Sequence, residues 1–168
     1  MSNNGRDFWS DELIVESIIL PDVILREQAG ILAEKTKGIV RGDVEMIEQP
    51  VEKVDDYLRP VFSTEAEFKQ YTHTLYLVVP ALDNYRYALI SAEHDFEPYP
   101  CKVVYHPEPH LLRAAAVQAT MHATMFCDTQ EELVHWLAAV LGHSTTTRII
   151  RALISRASQR RQAALGAN

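Results

Sequence analysis

Apolar residues alternate through the segment from Tyr71 to Val104, and this pattern predicts a long β-hairpin followed by a third strand. With a two-residue turn at Asp83-Asn84, one face would pair Leu75 with Ala92, Leu77 with Ile90 and Val79 with Ala88. The other face would set Val78 against Leu89 and Pro80 against Tyr87. Both faces are apolar, so we expect each to be covered, either by the chain itself or by another copy.

The remaining strands are predicted from shorter alternating segments. In residues 39–49, Val40, Val44 and Met46 alternate with charged residues. Residues 99–106 are predicted to form the third strand of the meander. Prolines lie on both sides of this segment, and proline is typical of strand ends because it cannot donate a hydrogen bond to a neighbouring strand. Residues 117–126 alternate again. Together with the hairpin, these segments predict about five strands in a mostly antiparallel sheet.

Helical periodicity predicts one N-terminal helix and two C-terminal helices. The first opens at Pro21-Asp22 and ends at Gly38. The second opens after a capping box in which Asp128 caps the helix and Glu131 reaches back to it. Gly142 ends that helix, and Ser144 caps the next one.

These elements indicate a single α+β domain over residues 1–168, with frayed ends at 1–12 and 159–168. Residues 50–67 lack a clear period and are interpreted as a connection with a short helical piece. The chain is 47% hydrophobic and 23% charged, values typical of soluble globular proteins. It has no apolar run near the ~20 residues of a membrane span and no secretory signal pattern. Two cysteines are too few for a disulfide framework, so we predict a cytoplasmic protein without membrane contact.

Charge is distributed unevenly along the chain. Residues 144–168 carry five arginines and no acid, so the other 143 residues sum to −7 − 5 = −12. Such asymmetry can indicate a nucleic-acid contact. The acidic remainder would repel a polyanion, and no aromatic residue lies among these arginines, so a solvated helix face is the favoured interpretation.

The segment from Gly142 to Arg148 is a candidate anion site. A glycine, four hydroxyls and an arginine lie at a predicted helix N-terminus, where free N–H groups and the helix dipole favour anions. The predicted ligand-binding residues are Ser144, Thr145, Thr147 and Arg148. The segment lacks P-loop spacing, and an ordinary inter-helix turn would favour the same glycine and serine.

Histidines and cysteines offer weaker chemistry. His106 and His110 flank a proline-rich segment that excludes the helix on which such a pair binds metal well. In the predicted register His73 lies opposite His94, which would allow two imidazoles to share a metal or to sense pH. Cys101 and Cys127 match no catalytic signature and are interpreted as small buried hydrophobes. We predict no metal and no cofactor, and no motif indicates an enzyme.

Tyrosines concentrate on the hairpin, where cross-strand aromatic packing is the favoured interpretation and a protein interface is the functional alternative. The predicted interface residues are Tyr76, Val78, Tyr85, Tyr87 and Leu89. The leading hypothesis is a non-enzymatic binding or assembly protein of a bacterial-type cytoplasm, working as a homo-oligomer or with a protein partner. The alternatives are a domain for small phosphate-containing ligands at 142–148 and a nucleic-acid contact through the C-terminal arginines.

Overall fold

The structure is a computed structural model and describes residues 18–50, 69–106 and 124–166. In chain order its elements are α1 (Pro21–Lys35), β1 (Arg41–Pro50), β2 (Lys69–Val79), β3 (Tyr85–His94), β4 (Cys101–Tyr105), β5 (Thr124–Cys127), α2 (Gln130–Leu141) and α3 (Ser144–Gly166). The strands form one antiparallel sheet in the order β1-β2-β3-β4-β5. The predicted α+β fold, with five strands, one N-terminal helix and two C-terminal helices, is confirmed.

Helix α1 begins and ends where local chemistry requires it. Pro21 occupies the first turn, where its missing N–H costs nothing, and Asp22 favours the positive end of the helix dipole. Beyond the helix, Lys37 and Gly38 have positive φ values of 51° and 72°. The Gly38 N–H donates to the carbonyl of Ala33 at 2.8 Å, which closes the last turn as a Schellman motif. The chain therefore turns sharply into β1, as the glycine predicted.

The link between β2 and β3 differs from the predicted two-residue turn. A 3₁₀ turn at Pro80–Leu82 is followed by Asp83 and Asn84, both in the left-handed region with φ of 58° and 56°. Pro80 has no N–H to donate to a neighbouring strand, and its fixed φ suits the start of a 3₁₀ turn. The predicted register is therefore wrong, because Val79 lies opposite Tyr85 rather than Ala88.

A β-bulge shifts the register again within the hairpin. Leu75 lies opposite Ile90, whereas the next residue, Tyr76, lies opposite Ala88. Leu89 is therefore an extra residue on β3 with no partner on β2. Leu89 and Ile90 are 1% and 0% exposed, so two consecutive side chains are buried where simple alternation allows only one.

The bulge corrects the predicted assignment of residues to faces. Tyr76, Val78, Tyr87 and Leu89 were expected to share one face of the hairpin. Tyr87 instead lies opposite Leu77, on the side that packs against the core, and Leu89 is buried at the bulge. Only Tyr76 and Val78 lie on the other side.

All three helices pack on one face of the sheet. Ala29 of α1 lies directly over Gly42 of β1, and Tyr105 of β4 shares a hydrogen bond of 3.1 Å with Thr146 of α3. The core between sheet and helices includes Leu25, Val44, Leu75, Leu77, Ile90, Val103, Leu133, Trp136, Val140, Ile149, Leu153 and Ala157. No helix of the described ranges packs on the opposite face, which we call the helix-free face. Within those ranges, no helix is long and apolar enough to cross a membrane.

The caps of the C-terminal helices are each one residue away from their predicted positions. Thr129 caps α2, and its hydroxyl accepts the Glu132 N–H at 3.3 Å. The Glu132 carboxylate accepts the Asp128 N–H at 2.8 Å, so the capping box uses Thr129 and Glu132 rather than Asp128 and Glu131. Ser144 is already the first residue of α3, so it is not the cap.

Several predictions fall on parts of the chain that the structure does not describe. These are the frayed segment 1–12, the connection at 51–67, residues 117–123 of the last predicted strand, and His110. Residues 159–166 continue α3, and the side chains of 159–165 are exposed. Fraying of this last part of the helix in solution stays a prediction.

We predict that Gly42→Ala destabilises the protein. An added Cβ would lie 2.4 Å from the Ala29 Cβ and 2.5 Å from the Ala29 Cα, so α1 must move away from the sheet. Overpacking of this kind costs about 1–3 kcal/mol, measurable as the free energy of unfolding in urea. The control is Gly30→Ala, whose added Cβ meets nothing within 4 Å and which should gain up to about 1 kcal/mol from helix propensity. Equal stability of Gly42→Ala and wild type would contradict the close approach of α1.

Candidate functional site

The helix-free face is a lattice of side chains set by the strand register. One row consists of Ile47, Thr72, Glu93, Lys102 and Phe126, the next of Glu45, Thr74, Ser91, Val104 and Thr124, and a third of Asp43, Tyr76 and Ala88. The residues at the two ends of the first row are exposed, Ile47 at 48% and Phe126 at 67%. Hydroxyl groups occupy the middle, and opposite charges pair across strands, as Lys102 does with Glu93 at 2.9 Å. The face is therefore mixed in polarity, with apolar groups at both edges.

Arg86 organises one corner of this face. Its guanidinium lies 3.1 Å from the Asp43 carboxylate and 2.7 Å from the Glu45 carboxylate. The same group lies 4.2 Å from the centre of the Tyr76 ring, a cation–π distance. The Arg86 guanidinium thus links β3 to β1 through two ion pairs and also stacks on an aromatic ring of β2. Arginine and aromatic residues are both enriched at protein interfaces.

A chain of polar contacts crosses the middle of the face. The Thr74 and Ser91 hydroxyl oxygens lie 3.0 Å apart, and Ser91 Oγ also lies 3.0 Å from Nε2 of His106. A serine bonded to a histidine is the first half of a nucleophilic triad. Within the described ranges, however, no group bonds the other ring nitrogen of His106, and burial lowers the pKa of this imidazole while Glu93 opposes the shift. The described residues therefore supply no orienting acid to this contact.

His73 and His94 lie together on the helix-covered face, although not in the predicted way. The residues directly opposite them are Ala92 and Tyr71, so the two histidines are diagonal neighbours. Their Nε2 atoms are 3.0 Å apart, and their rings stack with centres 5.1 Å apart. Both are buried, with exposures of 5% and 8%. The predicted proximity is correct even though the predicted register is wrong, because diagonal pairs still reach each other.

The surrounding bonds determine which nitrogens carry protons. Nδ1 of His94 lies 2.7 Å from the Asp95 carbonyl and must donate to it, so its Nε2 accepts the proton of His73 Nε2. Nδ1 of His73 is then a buried acceptor, and neither it nor Asp22 Oδ1 has a hydrogen-bond partner. Burial lowers the pKa of His73, and His94 and Arg26 lower it further, whereas Asp22 opposes the shift. The surroundings thus favour the neutral form of His73 in the folded protein.

A metal between the two histidines would need further ligands. No group of three or more histidine, cysteine or acidic side chains is arranged to hold a metal ion in the described parts of the chain. Asp22 influences His73 electrostatically without bonding it. The described residues therefore offer a metal at this position only the two imidazoles.

Cys101 and Cys127 are directly opposite each other on β4 and β5. Both are free thiols with exposures of 1% and 0%. Burial raises the pKa of Cys101 to about 12 and also raises the pKa of Cys127. Since the thiolate is the reactive form, the surroundings suppress the reactivity of both side chains, consistent with small buried hydrophobes.

The predicted anion site at 142–148 is a helix N-terminus whose donors are partly occupied. His143 Nδ1 accepts the Thr145 N–H at 3.1 Å, and the His143 carbonyl accepts the Thr147 N–H at 3.1 Å. Thr145 is buried, while Ser144, Thr147 and Arg148 are exposed. The histidine therefore satisfies donors that an anion would need.

The C-terminal arginines are spread along α3. Arg148, Arg151, Arg156, Arg160 and Arg161 are all exposed. Arg160 lies 2.7 Å from Asp83 at the hairpin tip, so one of them pairs with an acid of the same chain. This contact supports the interpretation of α3 as a solvated helix face.

The five predicted interface residues are divided among three environments. Tyr76 and Val78 are half-buried on the helix-free face, and Tyr85 is 39% exposed near the hairpin tip. Tyr87 packs partly against the core, and Leu89 is fully inside it. Sequence reasoning did not find Arg86, Ile47 or Phe126, whose common face is defined only by the register.

We predict that the protein becomes less stable as the pH falls, because His73 of the buried histidine pair has a lowered pKa. The folded state disfavours the charged form of His73, so below the usual pKa of 6.5 the unfolded chain binds more protons than the folded chain. The free energy of unfolding should therefore have its full value, as far as His73 contributes to it, above about pH 6.5. It should decrease as the pH falls below that value. In a His73→Leu, His94→Leu double variant the free energy of unfolding should change less steeply with pH. The slope that is left should be the part due to His106, whose pKa is also lowered.

Urea unfolding between pH 5 and pH 8 measures this slope, and His135→Gln is the control because His135 is exposed. A double variant with the wild-type slope would show that the pair does not carry the pH dependence.

We predict that neither thiol reacts with Ellman's reagent in the folded protein. Both thiols are buried and have raised pKa values, so labelling must wait for local or global opening. Two equivalents should react promptly in denaturant. Rapid labelling of Cys101 or Cys127 at neutral pH without denaturant would contradict their assignment as inert core residues.

Comparison of the chain with protein-family models, curated proteins and solved structures finds no match. Its function must therefore be argued from the geometry of its own residues.

Proposed function

We propose that this chain is a non-enzymatic binding or assembly protein that self-associates through the helix-free face of its sheet. The single observation that carries the proposal is the composition of that face. Tyr76 lies there beneath the Arg86 guanidinium, with exposed Ile47 and Phe126 at the two edges. Aromatic residues and arginine are enriched at protein interfaces and dominate their binding energy.

The sheet order supports the use of a face rather than a strand edge of the hairpin. β2 and β3 lie in the interior of the five-stranded sheet, and each has a paired strand on both sides. The backbone groups of β2 are therefore occupied by β1 and β3, and those of β3 from Ile90 to Glu93 by β2 and β4. A second copy would meet this part of the hairpin through side chains, namely those around Tyr76 and Val78.

The polarity of the face favours a contact that forms and dissociates over a permanent one. Obligate interfaces resemble a hydrophobic core cut in half, whereas this face has paired charges and buried hydroxyls between its apolar groups. Arg86 is already held by Asp43 and Glu45, so little side-chain freedom is lost when a partner packs on it.

The other functions have weaker support. An anion at 142–148 would compete with His143 for backbone donors. Nucleic-acid binding would have to use arginines of which one is paired with Asp83. The Ser91–His106 contact has no orienting acid among the described residues. The proposal includes a bacterial-type cytoplasmic location, and the two unlinked cysteines lying directly opposite each other support a reducing compartment.

We predict that the protein forms dimers at micromolar concentration and that Phe126→Lys weakens them at least about tenfold, as loss of an interface hot spot does. Phe126 is 67% exposed on the helix-free face, so the change leaves the core intact. Sedimentation velocity over a range of concentrations measures the dissociation constant. The matched control is Leu165→Lys, an equally apolar and exposed position (80%) on α3.

A monomer at all concentrations up to 100 micromolar would refute self-association. Equal weakening by Phe126→Lys and Leu165→Lys would refute the assignment of the helix-free face.

A further inference from the structure

A groove lies between helix α1 and the edge strand β1. Its volume is ≈ 370 Å³, within the range of natural ligand pockets, and it is open to solvent along one side. Small residues of α1, namely Ala29, Gly30 and Ala33, form one wall. The first residues of β1, Arg41 to Val44, form the other.

Two glycines with opposite surroundings create the shape of the groove. At Gly42 the sheet and α1 are in such close contact that a Cβ would lie 2.4 Å from Ala29. At Gly30, one residue further along the helix, a Cβ would meet nothing within 4 Å. The helix therefore contacts the strand closely at Ala29, and next to this contact there is an open slot at Gly30. Because residue 30 is glycine, it has no side chain that could fill this slot.

The strand beside the groove can accept another strand. β1 is ten residues long and is the outermost strand of the sheet. It pairs with β2 on one side, and no strand of the described ranges pairs with its other side. Among the described residues, alternate backbone N–H and C=O groups on that side have no strand partner, and a free edge of this kind is what β-strand addition uses.

Charge at the groove favours an acidic ligand. Arg26 and Arg41 both line it, and no carboxylate of the described residues forms an ion pair with Arg41. The carboxylate in the wall, Asp43, is already bonded to Arg86 at 3.1 Å. Arg26 has only an exposed contact of 3.5 Å with Asp22. A carboxylate entering the groove would gain at least one guanidinium partner without displacing a strong ion pair.

We propose that this groove binds an extended, acidic peptide segment of another protein. The peptide adds as a sixth strand along β1, its backbone bonds the free edge, and one of its carboxylates pairs with Arg41. Side chains that point toward α1 must fit the slot left by Gly30, which selects small or β-branched residues at that position. This activity goes beyond the proposed self-association and uses a different surface.

The test is selection of random twelve-residue peptides, displayed on messenger RNA, against the full chain. Recovered peptides should be enriched in aspartate or glutamate and in β-branched residues. A synthetic peptide of the most enriched sequence should bind measurably by fluorescence anisotropy. Its binding should protect amides of β1 from hydrogen exchange. Failure to enrich any peptide over a selection without the protein would overturn the proposal, as would enrichment without acidic residues.

Two variants test the site itself. Gly30→Leu fills the slot, and Arg41→Gln removes the cation, so each should weaken the peptide at least about tenfold. Gly30→Leu should not unfold the protein, because leucine is a better helix former than glycine and its Cβ meets open space. The matched controls are Ala138→Leu, at an exposed position of α2, and Arg148→Gln, at an exposed position of α3. Binding that neither groove variant changes would place the peptide elsewhere.

The experiment separates this inference from the proposed function. Phe126→Lys lies on the opposite edge strand and should leave peptide binding unchanged while it weakens self-association. Peptide binding lost in Phe126→Lys but kept in Gly30→Leu would overturn the groove and assign the peptide to the helix-free face.

Discussion

The β-bulge at Leu89 is the constraint on which the arrangement of the sheet depends. From the hairpin tip to the pair Tyr76–Ala88 the two strands follow one register. From the pair Leu75–Ile90 to the far end of the hairpin they follow another. The extra residue buries two adjacent apolar side chains and exchanges the faces of all positions toward the hairpin tip. Arg86 consequently lies on the helix-free face, where it meets Tyr76, instead of inside the core, where it would be an unpaired charge.

With the helices on one face, the two sides of the sheet have different physical roles. The helix-covered side holds the core together with a buried histidine pair, in which burial favours the neutral form of His73. The opposite side carries paired charges, hydroxyls and exposed aromatic groups, which suit contact with another molecule. The α1–β1 groove adds a third type of surface, a backbone edge beside a cationic slot. The proposed binding functions rest on these last two surfaces.

Local chemistry made the helices and strands predictable, because caps, breakers and apolar stripes act over a few residues. Gly38 and Gly142 mark the ends of helices as predicted, and Leu133 and Leu153 lie on buried stripes. The register was not predictable in the same way. The 3₁₀ turn that begins at Pro80 lengthens the hairpin link and so shifts the strand register from the predicted one. The bulge then reverses part of that shift. His73 therefore still reaches His94, but as a diagonal neighbour.

The sequence by itself determined the fold class, the order of its elements and the burial of the two cysteines, since periodicity and turn residues carry that information. Only the tertiary structure decided which residues share a surface. A shift of one residue moves every side chain of a strand to the other face, and no local pattern reveals such a shift. The isolation of Leu89 from Tyr76, the Arg86 corner and the groove beside Gly30 all follow from packing between distant segments.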